Sequence, residues 1–212
     1  YFAYCRTFKS RLGNEANRYR LGIRSDLYVL PGQQSIGQLP ELPEDYNEAM
    51  RLFWEFEEPQ NKMPVRYSNR KQRVQLGGLW DPNGRLVINI WHTFWNGNSI
   101  AFPMNPDPDL FYDKPAGVKT YTHDLFKHCR KILGDYPTLS GIYTDSYHYW
   151  GNFYNYRKDH FNYADYPFTH DENGKVCIWN AMSHLEWSLG LKELTKEFGD
   201  HPAGNGIRPY QM

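Results

Sequence analysis

Asp145 stands where the apolar run Leu139 to Thr144 ends, and the residues after it are dense in aromatic and hydrogen-bonding side chains. Tyr147, His148, Tyr149, Trp150, Phe153, Tyr154 and Tyr156 follow, with Asn152, Asn155, Arg157, Asp159 and His160 among them. Parallel strands of α/β folds present their ligand-binding groups at their carboxyl ends. A carboxylate in that position, with aromatic faces for stacking and polar groups for the rim, suits a sugar ring. Asp145 would then act as nucleophile or as electrostatic stabiliser of an oxocarbenium-like transition state. The plainer alternative is an Asp that fixes a loop or caps a helix after a strand. Asp159 and His160 are candidates for the acid or for a sugar ligand, against a plain surface pair.

Other carboxylates and aromatics widen the candidate set. Glu186 could serve as general acid, but Ser183-His184-Leu185-Glu186 also matches a helix capping box. Asp171 lies in the turn-forming sequence DENG, which accounts for it without chemistry. Trp91, His92, Trp95 and Asn96 close another strand and would line the same pocket, or pack under a loop. Trp91, Trp95, Tyr147, Tyr149 and Trp150 are the expected stacking faces. His92, Asn96, His148, Asn152, Arg157 and His160 are the expected hydrogen-bonding groups.

Eight His raise the question of a metal, yet His123 and His128 lack the one-face spacing of an HExxH helix. No metal and no cofactor are expected. Gly-rich phosphate loops and a GxSxG elbow are absent, which removes support for nucleotide hydrolysis and α/β-hydrolase chemistry. Cys5, Cys129 and Cys177 form no CxxC, so buried thiols are expected instead of a zinc knuckle or disulfide framework.

The elements that must hold these groups can be read in order. Tyr1 to Phe8 reads as a strand fragment with no cap before it, as if the chain began inside a larger polypeptide. Arg6 to Arg24 and Gln60 to Arg73 are basic, loop-like stretches. Leu27 to Leu30 is a short apolar strand stopped by Pro31-Gly32. A helix begins near Glu44, with Tyr46, Met50 and Phe53 on one face and Ala49 and Phe56 broadening it, and stops at Pro59. Val74 to Trp91 is expected to form a hairpin about Asp81-Pro82-Asn83-Gly84, and Phe102 to Leu110 a stiff loop. Thr120 to Leu133 is an amphipathic helix with Gly134 as its stop. Lys175 to Trp179 is a strand, Ser183 to Phe198 a helix ended by Gly199, and Gly206 to Pro209 a last short strand.

The chain of 212 residues suffices for one sizeable domain. Lys plus Arg equal Asp plus Glu at 24 each, so no basic excess points to nucleic acid. No run approaches the roughly 18 apolar residues of a membrane span, and no leader of charged-then-apolar type is present. An aromatic share of 17%, mostly Tyr and Trp, again favours surfaces that pair an apolar face with a polar tip.

Strands alternating with helices favour a parallel α/β arrangement, here three or four units of a (β/α)8 TIM-barrel-like fold. The expectation is one α/β domain over residues 1–212, a segment of a larger barrel. From about Trp80 onward the chain resembles the catalytic barrel of bacterial glycoside hydrolases related to the retaining α-glycosidases. The matching stretches are WDPNGRL, NPDPDL, YPTLSGIYTDSYHYWGNFYNYRKDHF, ADYPFTHDENGKV and SHLEWSLGLKEL. The resemblance implies a carbohydrate substrate, Asp145 as a catalytic Asp at a strand end, and an NPDPDL loop shaping a neighbouring subsite. An extracellular or periplasmic location, and assembly with further chains or the rest of a longer polypeptide, are expected with it. No pattern identifies the second carboxylate such an enzyme needs. A glycan-binding or assembly protein on the same scaffold is the rival expectation.

Overall fold

Leu27 and Val29 alternate with Asp26 and Tyr28, so the strand β1 (Asp26–Val29) buries every second side chain. It pairs in parallel with β5 (Gly141–Thr144), and β5 pairs in parallel with β9 (His201–Gly204). The computed structural model describes residues 20–21, 26–57, 69–94, 96–114, 118–145 and 153–199, and the backbone of 201–204. The expected strands at Tyr1 to Phe8 and Gly206 to Pro209 lie outside the described residues, as do Cys5 and residues 58–68.

The crossover into β5 is the helix α3 (Tyr121–Asp135), described below with the other helices. Between β1 and α3 the chain leaves the parallel sheet. β2 (Gln33–Leu39), β3 (Asn89–Thr93) and β4 (Gly97–Pro103) form an antiparallel sheet of order β2-β4-β3. A third sheet, also antiparallel, joins the two-residue strands β6 (Tyr154–Asn155) and β7 (Thr169–His170) to β8 (Val176–Trp179). The expected barrel is therefore corrected. Among the described residues only β1, β5 and β9 pair in parallel, in one three-stranded sheet, and the other two sheets are antiparallel. Short apolar runs mark strands but leave their direction open, and the chain returns antiparallel from β3 to β4.

Among the described residues four α-helices pack on this framework. α1 (Tyr46–Glu55) starts where the Asp45 side chain accepts the Glu48 amide, and it buries Ala49 and Phe53. α2 (Arg70–Gly77) occupies residues expected to belong to a loop and to a hairpin strand. Its buried arginines explain the difference. Arg70 donates to the Ser35 carbonyl at 2.9 Å, and Arg73 pairs with Asp124 at 2.6 Å beneath the Tyr121 ring. The Asp81 turn itself forms, with Trp80 and Leu86 bridging across it.

In α3 the Thr120 hydroxyl accepts the His123 amide, while Leu125, Cys129, Ile132 and Leu133 face inward. Gly134 lies within this helix and is not its stop. α4 (Asn180–Lys196) begins at Asn180, ahead of the expected start, and Gly199 follows it at φ 70°. Trp187, Leu191 and Leu194 from α4 meet Leu125 and Cys129 from α3, Ile142 from β5, and Phe102 and Ile100 from β4 in one core. Full burial of such side chains contributes about 1.5–3 kcal/mol each. Burial also pushes the Cys129 thiol up to about 12, so it packs as a small apolar group.

Candidate functional site

Because α3 and α4 each return the chain to a parallel strand, both present their amino ends at the carboxyl ends of β1 and β5. Asp145 leaves β5 there. Its amide donates to the Val29 carbonyl at 2.9 Å, and one carboxylate oxygen accepts the Tyr28 hydroxyl from the neighbouring strand. The rings of Tyr28 and Tyr143 lie stacked beside it, with centroids 6.1 Å apart. Burial first, then the Asp145 charge, raises the Tyr143 phenol. Asp145 remains half-buried, so one side is accessible.

The Trp187 indole N–H donates to the Thr144 hydroxyl at 3.2 Å, tying the first turns of α4 to the residue before Asp145. The neighbouring Glu186 is buried. Its Oε1 accepts the Asp165 amide at 2.7 Å, so it is not part of a capping box. Asp107, in the NPDPDL loop, is equally enclosed, and its Oδ1 accepts the Asp109 amide at 2.8 Å. These bonds leave Asp107 Oδ2 and Glu186 Oε2 as buried oxygens with no N–H donor. The Asp107 charge acts on Glu186 across this enclosed space. Two buried carboxylates so placed disfavour ionisation of both, which favours a retained proton.

The same conclusion follows from electrostatics. Burial pushes Asp107 up to about 7, with Asp109 and Asp165 adding repulsion. Burial, then the Asp107 charge, pushes Glu186 up to about 8. Glu186, pushed higher, is accordingly the group that keeps a proton near neutral pH. Sequence reasoning found the loop but not Asp107. The only local signal was a Pro-stiffened acidic run, and its partner lies far along the chain.

A buried network carries this pair into the scaffold. Asn105 Oδ1 accepts the Asp107 amide at 3.0 Å. The amide groups of Asn155 and Asn105 approach His160 Nδ1 at 2.9 and 3.3 Å. His160 Nε2–H donates to the Leu76 carbonyl at 2.8 Å. The network assigns the neutral Nε2–H tautomer, and burial, followed by the Arg157 charge, lowers His160 to about 3. Arg157 donates to the Gln75 carbonyl at 2.6 Å, chelates Asp159 at 2.7 Å and lies over the Trp80 ring. Arg157 and His160 thus satisfy carbonyls at the end of α2, where a helix leaves acceptors open and favours positive charge.

The expected residues therefore separate. The structure brings Asp145 and Glu186 to one end of the parallel sheet. Arg157, Asp159 and His160 form a clamp on α2. Trp91 and His92 lie on β3, where His92 Nδ1 sits 2.8 Å from Asn98 Oδ1. Asn96 packs against Gly37, where an added Cβ would collide with its side-chain amide. Trp95, Tyr147, His148, Tyr149, Trp150 and Asn152 lie outside the described residues. Among the described residues no three His, Cys, Asp or Glu side chains converge to hold a metal ion. No helix among them is long and apolar enough to cross a membrane. No protein-family model, curated protein or solved structure matches the chain.

Proposed function

We propose that the chain hydrolyses glycosidic bonds, with Asp145 as the carboxylate that attacks or stabilises the anomeric centre. The observation that carries this reading is the setting of Asp145. It is an accessible carboxylate beyond a parallel strand, held by the Tyr28 hydroxyl beside two stacked tyrosine rings. A fixed, partly desolvated carboxylate of this kind stabilises developing positive charge without reorganising at the moment of reaction. The order of WDPNGRL, NPDPDL and GIYTDSYHYW along the chain supports the same assignment by resemblance.

Glycoside hydrolysis needs a second carboxyl group, about 5–5.5 Å away for retention or about 6.5–9.5 Å for inversion. Asp109 and Asp165, both exposed and both with charges that act on Asp107 and Glu186, are the candidates. The buried pair positions the NPDPDL loop and the Asp165 amide and does not meet the sugar. Aryl glycosides and natural glycans assayed with wild type, Asp109→Asn, Asp145→Asn and Asp165→Asn test the proposal. Turnover by wild type that collapses in Asp145→Asn, and in one of the other two, is the expected result. Glycan binding without turnover in any form would replace hydrolysis with recognition.

A further inference from the structure

Beside the NPDPDL loop, a cavity of about 300 Å3 opens at the amino end of α3, lined by Phe111, Tyr112, Lys114, Lys119, His123 and Lys127 among others. Among the side chains that line it, the acidic one is already paired: Asp124 is taken by Arg73 at 2.6 Å. Asp113, next to Lys114, accepts the Tyr163 hydroxyl at 2.7 Å and lies 3.8 Å from the Lys114 amine. The exposed Asp109 carboxylate acts on His123 from the NPDPDL loop. His123 Nε2 is held at 3.1 Å from the Pro108 carbonyl, and burial lowers its basicity, so it stays neutral. The Thr120 hydroxyl occupies the His123 amide, so the helix end does not supply the attraction. Lys119 and Lys127 have no ion pair among the described residues, which leaves two ammonium groups over one concave surface.

The wall is aromatic. Phe111 is fixed by edge contacts with the His160 and Tyr163 rings at 5.6 and 5.1 Å. Phe111 adopts φ 62°, and the chain then presents Tyr112 outward, 70% exposed. An exposed tyrosine face beside two unpaired ammonium groups fits a ligand with a ring and a negative charge.

We propose that this cavity binds a ring-bearing anion, of which a hexuronic acid residue is the sugar example. Lys119 and Lys127 meet the carboxylate and Tyr112 meets the ring. The inference rests on the glycosidase reading only for its place in a longer substrate, as a subsite for an acidic sugar. Binding itself is independent of turnover.

The test is a titration followed by backbone amide shifts at low ionic strength, using methyl glucuronide, methyl glucoside and inorganic phosphate. Wild type, Lys119→Gln/Lys127→Gln and Tyr112→Ala are compared, with melting curves confirming that these exposed substitutions leave the fold intact. Methyl glucuronide should perturb the amides of Phe111, Tyr112, Lys114, Lys119, His123 and Lys127, bind at least about tenfold tighter than the neutral glucoside, and weaken about tenfold in the double lysine variant. Tyr112→Ala should weaken it too, and added salt should compete. Equal affinity for glucoside and glucuronide, or no loss in the double variant, would overturn the proposal. Phosphate binding as tightly as glucuronide would also overturn it, by reducing the cavity to a bare anion site. A protein that binds glucuronide here yet cleaves no glycoside would defeat the hydrolase reading and leave this site standing.

Discussion

Asp145 and Glu186 lie next in sequence to the two partners of one hydrogen bond, that between Thr144 and Trp187, yet their surroundings are opposite. Asp145 is half-open and accepts a phenolic O–H from the adjacent strand. Glu186 is closed in, gives one oxygen to a backbone amide and lies in the field of the buried Asp107. The difference separates two uses of a carboxyl group. Where solvent and substrate can reach, the carboxylate is available for chemistry. Where they cannot, it holds a loop in place, and the cost of burial is met by keeping a proton. An elevated carboxyl is a recognised mark of general acids, but here enclosure marks it as structural.

The sharpest way to break this distinction is to remove one side of the buried pair. Glu186→Ala leaves the Asp165 amide without its acceptor and opens a void beside Asp107. It should lower stability by about 3 kcal/mol in urea unfolding at pH 6. Glu186→Gln keeps an acceptor for the Asp165 amide and should cost less than about 1 kcal/mol. Equal losses in the two variants would show that holding the Asp165 amide is not what Glu186 supplies.

The next effect is in pH. Asp107 and Glu186 titrate higher in the fold, at about 7 and about 8, than the usual carboxylate range of the unfolded chain. The fold therefore binds more protons than the unfolded state, and its stability declines as pH rises through those values. Burial lowers both His160 and His184 to about 3, and these act in the reverse sense. Their contribution is intact above the unfolded histidine pKa of about 6.5 and declines as pH falls toward 3. Between about pH 4.5 and 6.5 the two effects oppose and nearly cancel, which places maximal stability on a plateau within that window. Above about pH 7 the pair dominates, and about 1 kcal/mol should be lost by pH 8 at roughly one proton per unit. Denaturant midpoints across this range measure it, and Glu186→Gln should flatten the alkaline limb while leaving the acid limb unchanged.

A smaller effect belongs to the open side. Tyr28→Phe removes the O–H that orients Asp145 and should cost about 1 kcal/mol of stability. Glycoside turnover should fall about tenfold, because Asp145 remains in place but is less firmly held. A melting temperature lowered as far as in Glu186→Ala would show that Asp145 belongs to the core and not to a cleft.

The parts of the molecule that could be read from the sequence are those whose determinants are local. α1 and α3 carry an apolar stripe and a capping side chain, and β5 is a short apolar run ended by a polar residue. α2 has no such stripe. Its buried Arg70 and Arg73 find partners at Ser35 and Asp124, which no local pattern reveals. The sequence around Glu186 satisfied a local rule, S-x-x-E, that a longer helix beginning at Asn180 superseded. The barrel expectation failed for a related reason. Strand runs are local, but whether they pair in parallel is decided by the path of the chain between them, and the β3–β4 turn decides it the other way. Asp145 was legible because position after a strand is a local property. The partnership of Asp107 with Glu186 was not.

Glycoside turnover by Asp145→Asn and Glu186→Gln, assayed side by side with folding verified for both, bears directly on the division between reactive and structural carboxyls. Turnover reduced on the order of 10³-fold in Asp145→Asn, and retained within about threefold in Glu186→Gln, is the predicted outcome. Turnover that survives in Asp145→Asn and disappears in Glu186→Gln would reverse the assignment and make the buried pair the reacting group.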